Sequence, residues 1–329
     1  MNISSESLVL ADILPTRLCF NQVVEGSLEL RDSFMPGGNV YIEGHDYKVD
    51  YISGTIVRTS QSRIPDYSKH ILYGKKEFDH TRFPNDDLTN HKWFVWADYR
   101  TENGMPLAVT NDQSQYLTQT RKRLEAGGPF KLISYGDSIT AGCDVSDQSL
   151  TFTHLYTDYL GRQFPSAQIT HCDISIPGQS SREGLAWFDQ KPEGRNSTPP
   201  LGMIPDPDLI IVGFGMNDHN KGCNKPEQTK SNLMELVELI RNRKGAEVIL
   251  FSTFRPHDDW YYSTHCIEKF ADVIKQAAIE SQCAYVNVYD TWKKVLERKD
   301  QSSLLANNIN HPNYFGHWLY EQAFEAMKF

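Results

Sequence analysis

The 329-residue chain is 39% hydrophobic and 23% charged, and its 33 Lys and Arg against 42 Asp and Glu give a formal charge of −9. Such a chain is soluble and globular with core enough for one large domain or two ordinary ones. The net negative charge argues against nucleic acid or an anionic membrane as the main partner. Its apolar runs stay well below the roughly 18 to 20 residues of a membrane helix.

The opening M-N-I-S-S-E-S-L-V-L-A-D lacks the basic and apolar regions of a signal peptide, so a cytoplasmic home is the expectation. Residues 1 to 110 read as a β-rich domain, a sandwich or jelly-roll-like module. In V-Y-I-E-G-H-D-Y-K-V-D-Y-I-S-G-T-I-V-R-T, residues 40 to 59, three short alternating runs are separated by turn chemistry, the pattern of a meander. Lys92 to Tyr99 (K-W-F-V-W-A-D-Y) gives a further strand. Residues 111 to 128 read as a linker, with a polar helix over 112 to 126 that Gly127-Gly128-Pro129 ends.

From 129 to 329 strands alternate with helices. Apolar strands are expected at 131–135, 168–174, 208–214, 247–253 and 284–288. Between them Phe152, Leu155, Tyr156, Tyr159 and Leu160 share one helical face, Leu233, Leu236, Val237 and Ile240 a second, and Ile267, Phe270, Ala271, Ile274 and Ala278 a third. Near-continuous apolar strands joined by helices imply a five-stranded parallel sheet covered on both faces, a flavodoxin-like three-layer α/β/α domain.

Ligands of such sheets bind beyond the carboxyl ends of the strands, and the polar motifs fall there. The first strand runs into Y-G-D-S-I-T, with Asp137 and Ser138; the second into S-I-P-G-Q-S-S-R, with Gly178 and Arg182; the third into F-G-M-N-D, with Asn217 and Asp218. After the fifth strand comes N-N-I-N-H-P-N, with His311. Singly, each motif also reads as ordinary turn or helix-cap chemistry. The six cysteines contain no C-x-x-C pair, and His219 with Cys223 four residues on reads as two loop residues, so no metal site is expected.

In their order and spacing these four blocks resemble the SGNH/GDSL hydrolase family over roughly residues 130 to 329. The G-D-S block differs from the G-x-S-x-G elbow of α/β-hydrolases. The resemblance implies that Ser138 is the nucleophile and His311 its general base. It implies an oxyanion hole made by the backbone N–H groups of Ser138 and Gly178 and the side-chain amide of Asn217. It implies hydrolysis of a carboxylic ester through an acyl-serine intermediate, with no metal or organic cofactor.

The family's last block reads D-x-x-H, whereas here Asn308-Ile309-Asn310-His311 puts an amide where the histidine's acid stands. Asparagine accepts the imidazole N–H without charge, and in a serine protease the Asp→Asn change costs about 10⁴ in turnover. Three readings stay open: a Ser-His dyad oriented by a backbone carbonyl or Asn308, a substitute carboxylate with Asp290 the nearest candidate along the chain, or a slow enzyme or binding-only protein. Some SGNH carbohydrate esterases work without the acid.

A β-rich module ahead of such a domain resembles carbohydrate esterase family 2, which points to acetyl esters of oligosaccharides as substrate. Arg182, Arg255, His257 and Trp260, together with Asp137, are the candidate substrate-binding residues. Trp260, Tyr261 and Tyr262 would stack on sugar rings or simply cover the core. A catalytically impaired carbohydrate-binding protein and an esterase or lipase for non-sugar esters are the alternatives. The sequence leaves the oligomeric state open.

Overall fold

A computed structural model describes residues 1–191 and 199–329, which divide into two compact units. The first comprises Met1–Leu107, Asp259–Tyr261 and Lys293–Gly316, and the second Ala108–Asp258, Tyr262–Trp292 and His317–Phe329. The segment bearing His311 therefore belongs to the first unit, although it follows the hydrolase-like sheet in sequence.

The first unit is built on antiparallel strands: β1 (Asn2–Leu8), β2 (Thr16–Arg17), β3 (Glu29–Arg31), β4 (Val40–Tyr41), β5 (Tyr47–Asp50), β6 (Thr55–Arg58) and β7 (Val95–Arg100). They form one sheet in the order β1-β7-β3-β4 and another in the order β2-β6-β5. The meander expected over 40–59 is thus split: β5 and β6 pair as a hairpin, while β4 joins β3. Strand β7 begins at Val95 because His91–Trp93 form a 3-10 turn. The short helix α1 spans Asn85–Leu88.

A register shift between Ile3 and Glu6, with Ser5 at φ +52°, bulges β1 against β7. Beyond the bulge the in-out alternation fails, and Glu6 and Ser7 are buried together with Leu8. Buried Glu6 meets Lys299, whose Nζ lies 2.5 Å from Glu6 Oε1 and donates to the Ser7 carbonyl at 2.9 Å. Tyr99 and the Cys19 backbone N–H donate to the same carboxylate at 2.5 and 2.8 Å. Residues 259–261 run beside Phe78, with Phe78 N–H to Asp259 O at 2.8 Å and Tyr261 N–H to Phe78 O at 2.9 Å.

In the second unit β8 (Asn111–Asp112) precedes α2 (Thr118–Ala126), so the helix expected over 112–126 starts only at Thr118, after a short strand and a 3-10 turn at Ser114–Tyr116. β9 (Gly128–Gly136), β10 (Ala167–Asp173), β11 (Leu209–Gly213), β12 (Glu247–Phe251) and β13 (Ala284–Val286) form an all-parallel sheet in the order β10-β9-β11-β12-β13. This is the flavodoxin-like order, with the switch point beside the first strand. α3 (Phe152–Gln163), α4 (Ser181–Ala186), α5 (Pro226–Lys244) and α6 (Ile267–Glu280) follow, α7 (Val288–Leu296) and α8 (Tyr314–Glu325) flank the Lys293–Gly316 segment of the first unit and lie partly within it, and β14 (Met327–Lys328) pairs with β8.

Two buried layers sandwich the sheet. On one face Ile133, Ile210, Val212 and Leu250 join Leu233, Leu236 and Ile240 of α5 and Ile274 of α6. On the other, Phe152 of α3 and Phe324 of α8 contact Phe251, with ring centroids 5.3 and 5.4 Å from it. β11 is buried throughout, as an inner strand covered on both faces must be, whereas edge strand β10 is half-exposed. The domain is a three-layer α/β/α fold preceded by a β domain. No described helix is long and apolar enough to cross a membrane.

Candidate active site

The G-D-S turn leaves the carboxyl end of β9. Gly136 is required there by space: a Cβ would lie 2.4 Å from the Gly213 carbonyl and 2.3 Å from Thr140 Oγ1. Its absence lets β9 and β11 come together, and Asp137 N–H then donates to Gly213 O at 3.2 Å. Asp137 Oδ1 accepts from the Ile139 N–H at 2.9 Å, and Cys143 N–H from the following turn donates to Ser138 O at 2.9 Å. Ser138 is thereby fixed beyond the carboxyl end of inner strand β9, 5% exposed. Asp137 is buried rather than open to a sugar; burial pushes its carboxyl up to about 7, and the Asp218 charge adds to the rise.

After β10, Gly178 sits at φ +79°, a left-handed turn position that glycine adopts without strain, and a Cβ there would meet open space. After β11, Asn217 donates from Nδ2 to the Gln179 carbonyl at 3.0 Å. That bond ties the third loop to the residue following Gly178 and fixes the plane of the amide, whose NH2 carries a second donor.

Beneath it lies a hub that sequence reasoning passed over. Buried Asp218 accepts from the Ser181 N–H at 3.0 Å, Asn224 Nδ2 at 2.8 Å and Thr229 Oγ1 at 2.9 Å, and also from the Ser181 hydroxyl. One carboxylate so joins the third loop to the starts of α4 and α5. His219 is buried, donates its Nδ1–H to the Met216 carbonyl, and has its pKa pushed down to about 4 by burial. Among the described residues no group of three or more His, Cys, Asp or Glu side chains is placed to hold a metal ion.

In the first unit, His311 stands at the foot of a hairpin. Ala306 N–H donates to His311 O at 2.8 Å and Asn313 N–H to Leu304 O at 2.9 Å. Asn307 Oδ1 fills the loop, accepting the N–H groups of Ile309, Asn310 and His311 at 2.9, 3.0 and 3.0 Å. Asn313 starts α8, its Oδ1 accepting the Gly316 N–H at 3.0 Å while its Nδ2 holds Ser303 O at 2.9 Å.

Asn308 is buried at φ +58°, a left-handed position where asparagine is among the tolerated residues. Its Oδ1 accepts from Asn90 Nδ2 at 3.3 Å, and Tyr67 is hydrogen-bonded within the same group of Ser302, Asn308 and Asn90. The sequence shows only an acid replaced; the structure gives the amide a buried place of its own.

The other candidates fare unevenly. Asp290 is exposed in the first turn of α7 and pairs reciprocally with Asn287, Asn287 Nδ2 to Asp290 Oδ2 at 2.6 Å and Asp290 N–H to Asn287 Oδ1 at 3.1 Å, as a helix cap does. Arg182 pairs with Glu183 at 3.3 Å. Arg255 pairs with Asp258 at 2.5 Å, and His257 is half-buried. Trp260 is 4% exposed and its Nε1–H donates to His80 Nδ1 at 3.0 Å, which makes it a covering aromatic rather than an open stacking platform. Tyr261 is the exposed ring of the three. His317 is buried on α8, its Nδ1 accepting the Phe152 N–H at 3.3 Å.

Residues 134–319 match the family model described as GDSL-like Lipase/Acylhydrolase family. Among solved structures the chain is similar to a two-domain esterase (CEX) active on acetylated mannans, at 18% identity and a TM-score of 0.51, over 67% of this chain and 53% of that one. It thus spans about half the length of that esterase, whose fold it shares. It is also similar to Axe2, an acetylxylan esterase from Geobacillus stearothermophilus (20% identity, 61% of this chain and 94% of that one, TM-score 0.48). LAE5, an alpha/beta hydrolase enzyme from the metagenome of Lake Arreo, Spain, gives 21% identity over 61% of this chain and 94% of that one, with a TM-score of 0.48. No curated protein matches the chain.

Proposed function

Because the chain belongs to the GDSL-like lipase/acylhydrolase family, we propose that it is a serine esterase that removes small acyl groups, acetyl above all, from carbohydrate esters. The observation that carries the reading is the placement of three blocks on neighbouring strands. Ser138 follows β9, Gly178 follows β10 and Asn217 follows β11, with Asn217 bonded to the residue after Gly178.

In this scheme Ser138 Oγ attacks the ester carbonyl as His311 takes its proton, since an unassisted hydroxyl is a poor nucleophile near neutral pH. The oxyanion that forms is met by the N–H groups of Ser138 and Gly178 and by Asn217 Nδ2, donors worth about 3 to 4 kcal/mol each at such a site. Their worth depends on being fixed beforehand, and the Gln179 carbonyl supplies that for Asn217. The alcohol departs with the proton from His311, and water, activated by the same imidazole, then releases the acid from the acyl-serine.

For orientation of His311 the reading favours a dyad over a triad. Asp290 is spent on capping α7, and Asn308 brings no charge. A sugar acetyl ester is supported by the likeness to a two-domain esterase active on acetylated mannans, over 67% of this chain.

Turnover of p-nitrophenyl acetate by the full chain, with Ser138→Ala as control, tests the reading. Ser138-dependent turnover that falls off with longer acyl chains is expected. Absence of any Ser138-dependent turnover on acetyl esters would leave the binding-protein alternative standing.

A further inference from the structure

Asn90 lies more than two hundred residues before the His311 hairpin, yet every hydrogen bond the structure gives it from backbone N–H and Nδ2 lands on residues 302–308. Its N–H donates to Ala306 O at 2.7 Å, and its Nδ2 to Leu305 O at 2.9 Å, Ser302 O at 3.0 Å and Asn308 Oδ1 at 3.3 Å. Asn90 is fully buried and stands at the start of the 3-10 turn His91–Trp93, outside any strand.

Two more ties run from the β module to the same segment. Ser303 Oγ accepts the Val9 N–H at 3.1 Å, and the Ser7 hydroxyl donates to Ser303 O at 2.5 Å. The buried Lys299–Glu6 pair anchors the segment just upstream.

An isolated hairpin of this length is marginal in water. Residues 304–313 therefore need an external template, and the module supplies it. Asn90 does two things that a merely apolar filler would not. It satisfies the carbonyls of Ser302 and Leu305 inside the core, and it fixes the sense of the Asn308 amide, because an Nδ2–H donor facing Asn308 requires the oxygen there.

We infer that Asn90 is a positioning residue: the β module, through Asn90, holds the hairpin that carries His311 and sets the imidazole for proton transfer. The inference rests on the reading of His311 as the general base. Displacement of a positioned group by about 1 Å costs on the order of 10²-fold in rate, so Asn90→Ala should lower kcat by about 10- to 100-fold.

The test is a double-substitution cycle on the full chain with p-nitrophenyl acetate, comparing wild type, Asn90→Ala, His311→Ala and the double variant, with circular dichroism of each. A fall in kcat at a KM within about twofold of wild type, and no further fall when Asn90→Ala is added to His311→Ala, bears the proposal out. Wild-type kcat in Asn90→Ala, a rise in KM alone, or an equal loss in both backgrounds overturns it. Asn90→Ser, which keeps the backbone N–H bond and one hydroxyl, is read by the same criteria if the alanine variant does not fold. If neither folds, Asn90 is a folding residue and the proposal fails. Full activity in His311→Ala, by contrast, would defeat the reading of the base itself, whatever Asn90 does.

Discussion

Replacing Lys299 by methionine tests how firmly the His311 segment is joined to the β module. Both side chains of the Glu6–Lys299 pair are fully buried, with 2.5 Å between charged atoms. Methionine keeps the length of the stem and removes the charge. Glu6 then retains Tyr99 and the Cys19 N–H as donors, but no counter-charge. Breaking one side of a buried pair costs about 3 to 5 kcal/mol, because the remaining ion is left uncompensated. Against a typical total stability of about 5 to 15 kcal/mol, that is a large fraction. Equilibrium unfolding in urea, followed by tryptophan fluorescence, reads the change. The double variant Glu6→Gln/Lys299→Met removes both charges and should recover most of the loss. A single variant that costs less than about 1 kcal/mol, or a double variant no better than the single, would refute the reasoning.

Asp137 carries a pH signature. Folding raises its carboxyl from 3.8 to about 7, so its contribution is complete below about pH 4 and is lost as pH rises through 7. That displacement amounts to about 4 kcal/mol, and Asp137→Asn should flatten this part of a stability–pH curve measured by urea unfolding. Gly136→Ala should cost about 3 kcal/mol in the same assay, since its Cβ meets the backbone carbonyl of Gly213 as well as the Thr140 side chain. Asn308→Gly, which keeps the left-handed backbone, should lose far less turnover of p-nitrophenyl acetate than His311→Ala; equal losses would sink the dyad.

How much of this was legible in the sequence follows the range of the interactions. The five parallel strands announce themselves because each is a local apolar run, and the helices between them because each repeats its own apolar face. The four strand-end blocks are legible for the same reason, being short and contiguous. The split of the 40–59 meander was not, since β4 chooses β3 over β5 through pairing that no local pattern encodes. Nor was the burial of Trp260, whose Nε1–H finds its acceptor in His80 some 180 residues away.

The sharpest gap lies at the His311 block. Its sequence shows an asparagine where the family has an acid. It does not show Asn307 closing the loop, or Asn90 reaching it from the β module. Those partners are asparagines, common turn residues without a motif, and only the fold brings them together. Asp218 was hidden similarly: in G-M-N-D it reads as a turn residue, yet its bonds reach Ser181, Asn224 and Thr229.

The central claim is that Ser138 forms a covalent acyl intermediate. Rapid acid quenching of the full chain with p-nitrophenyl acetate, followed by peptide mass spectrometry, tests it directly. The account predicts an acetyl adduct on the peptide containing Ser138, formed in a burst and absent from Ser138→Ala. Turnover without that adduct, or an adduct that persists in Ser138→Ala, would contradict it.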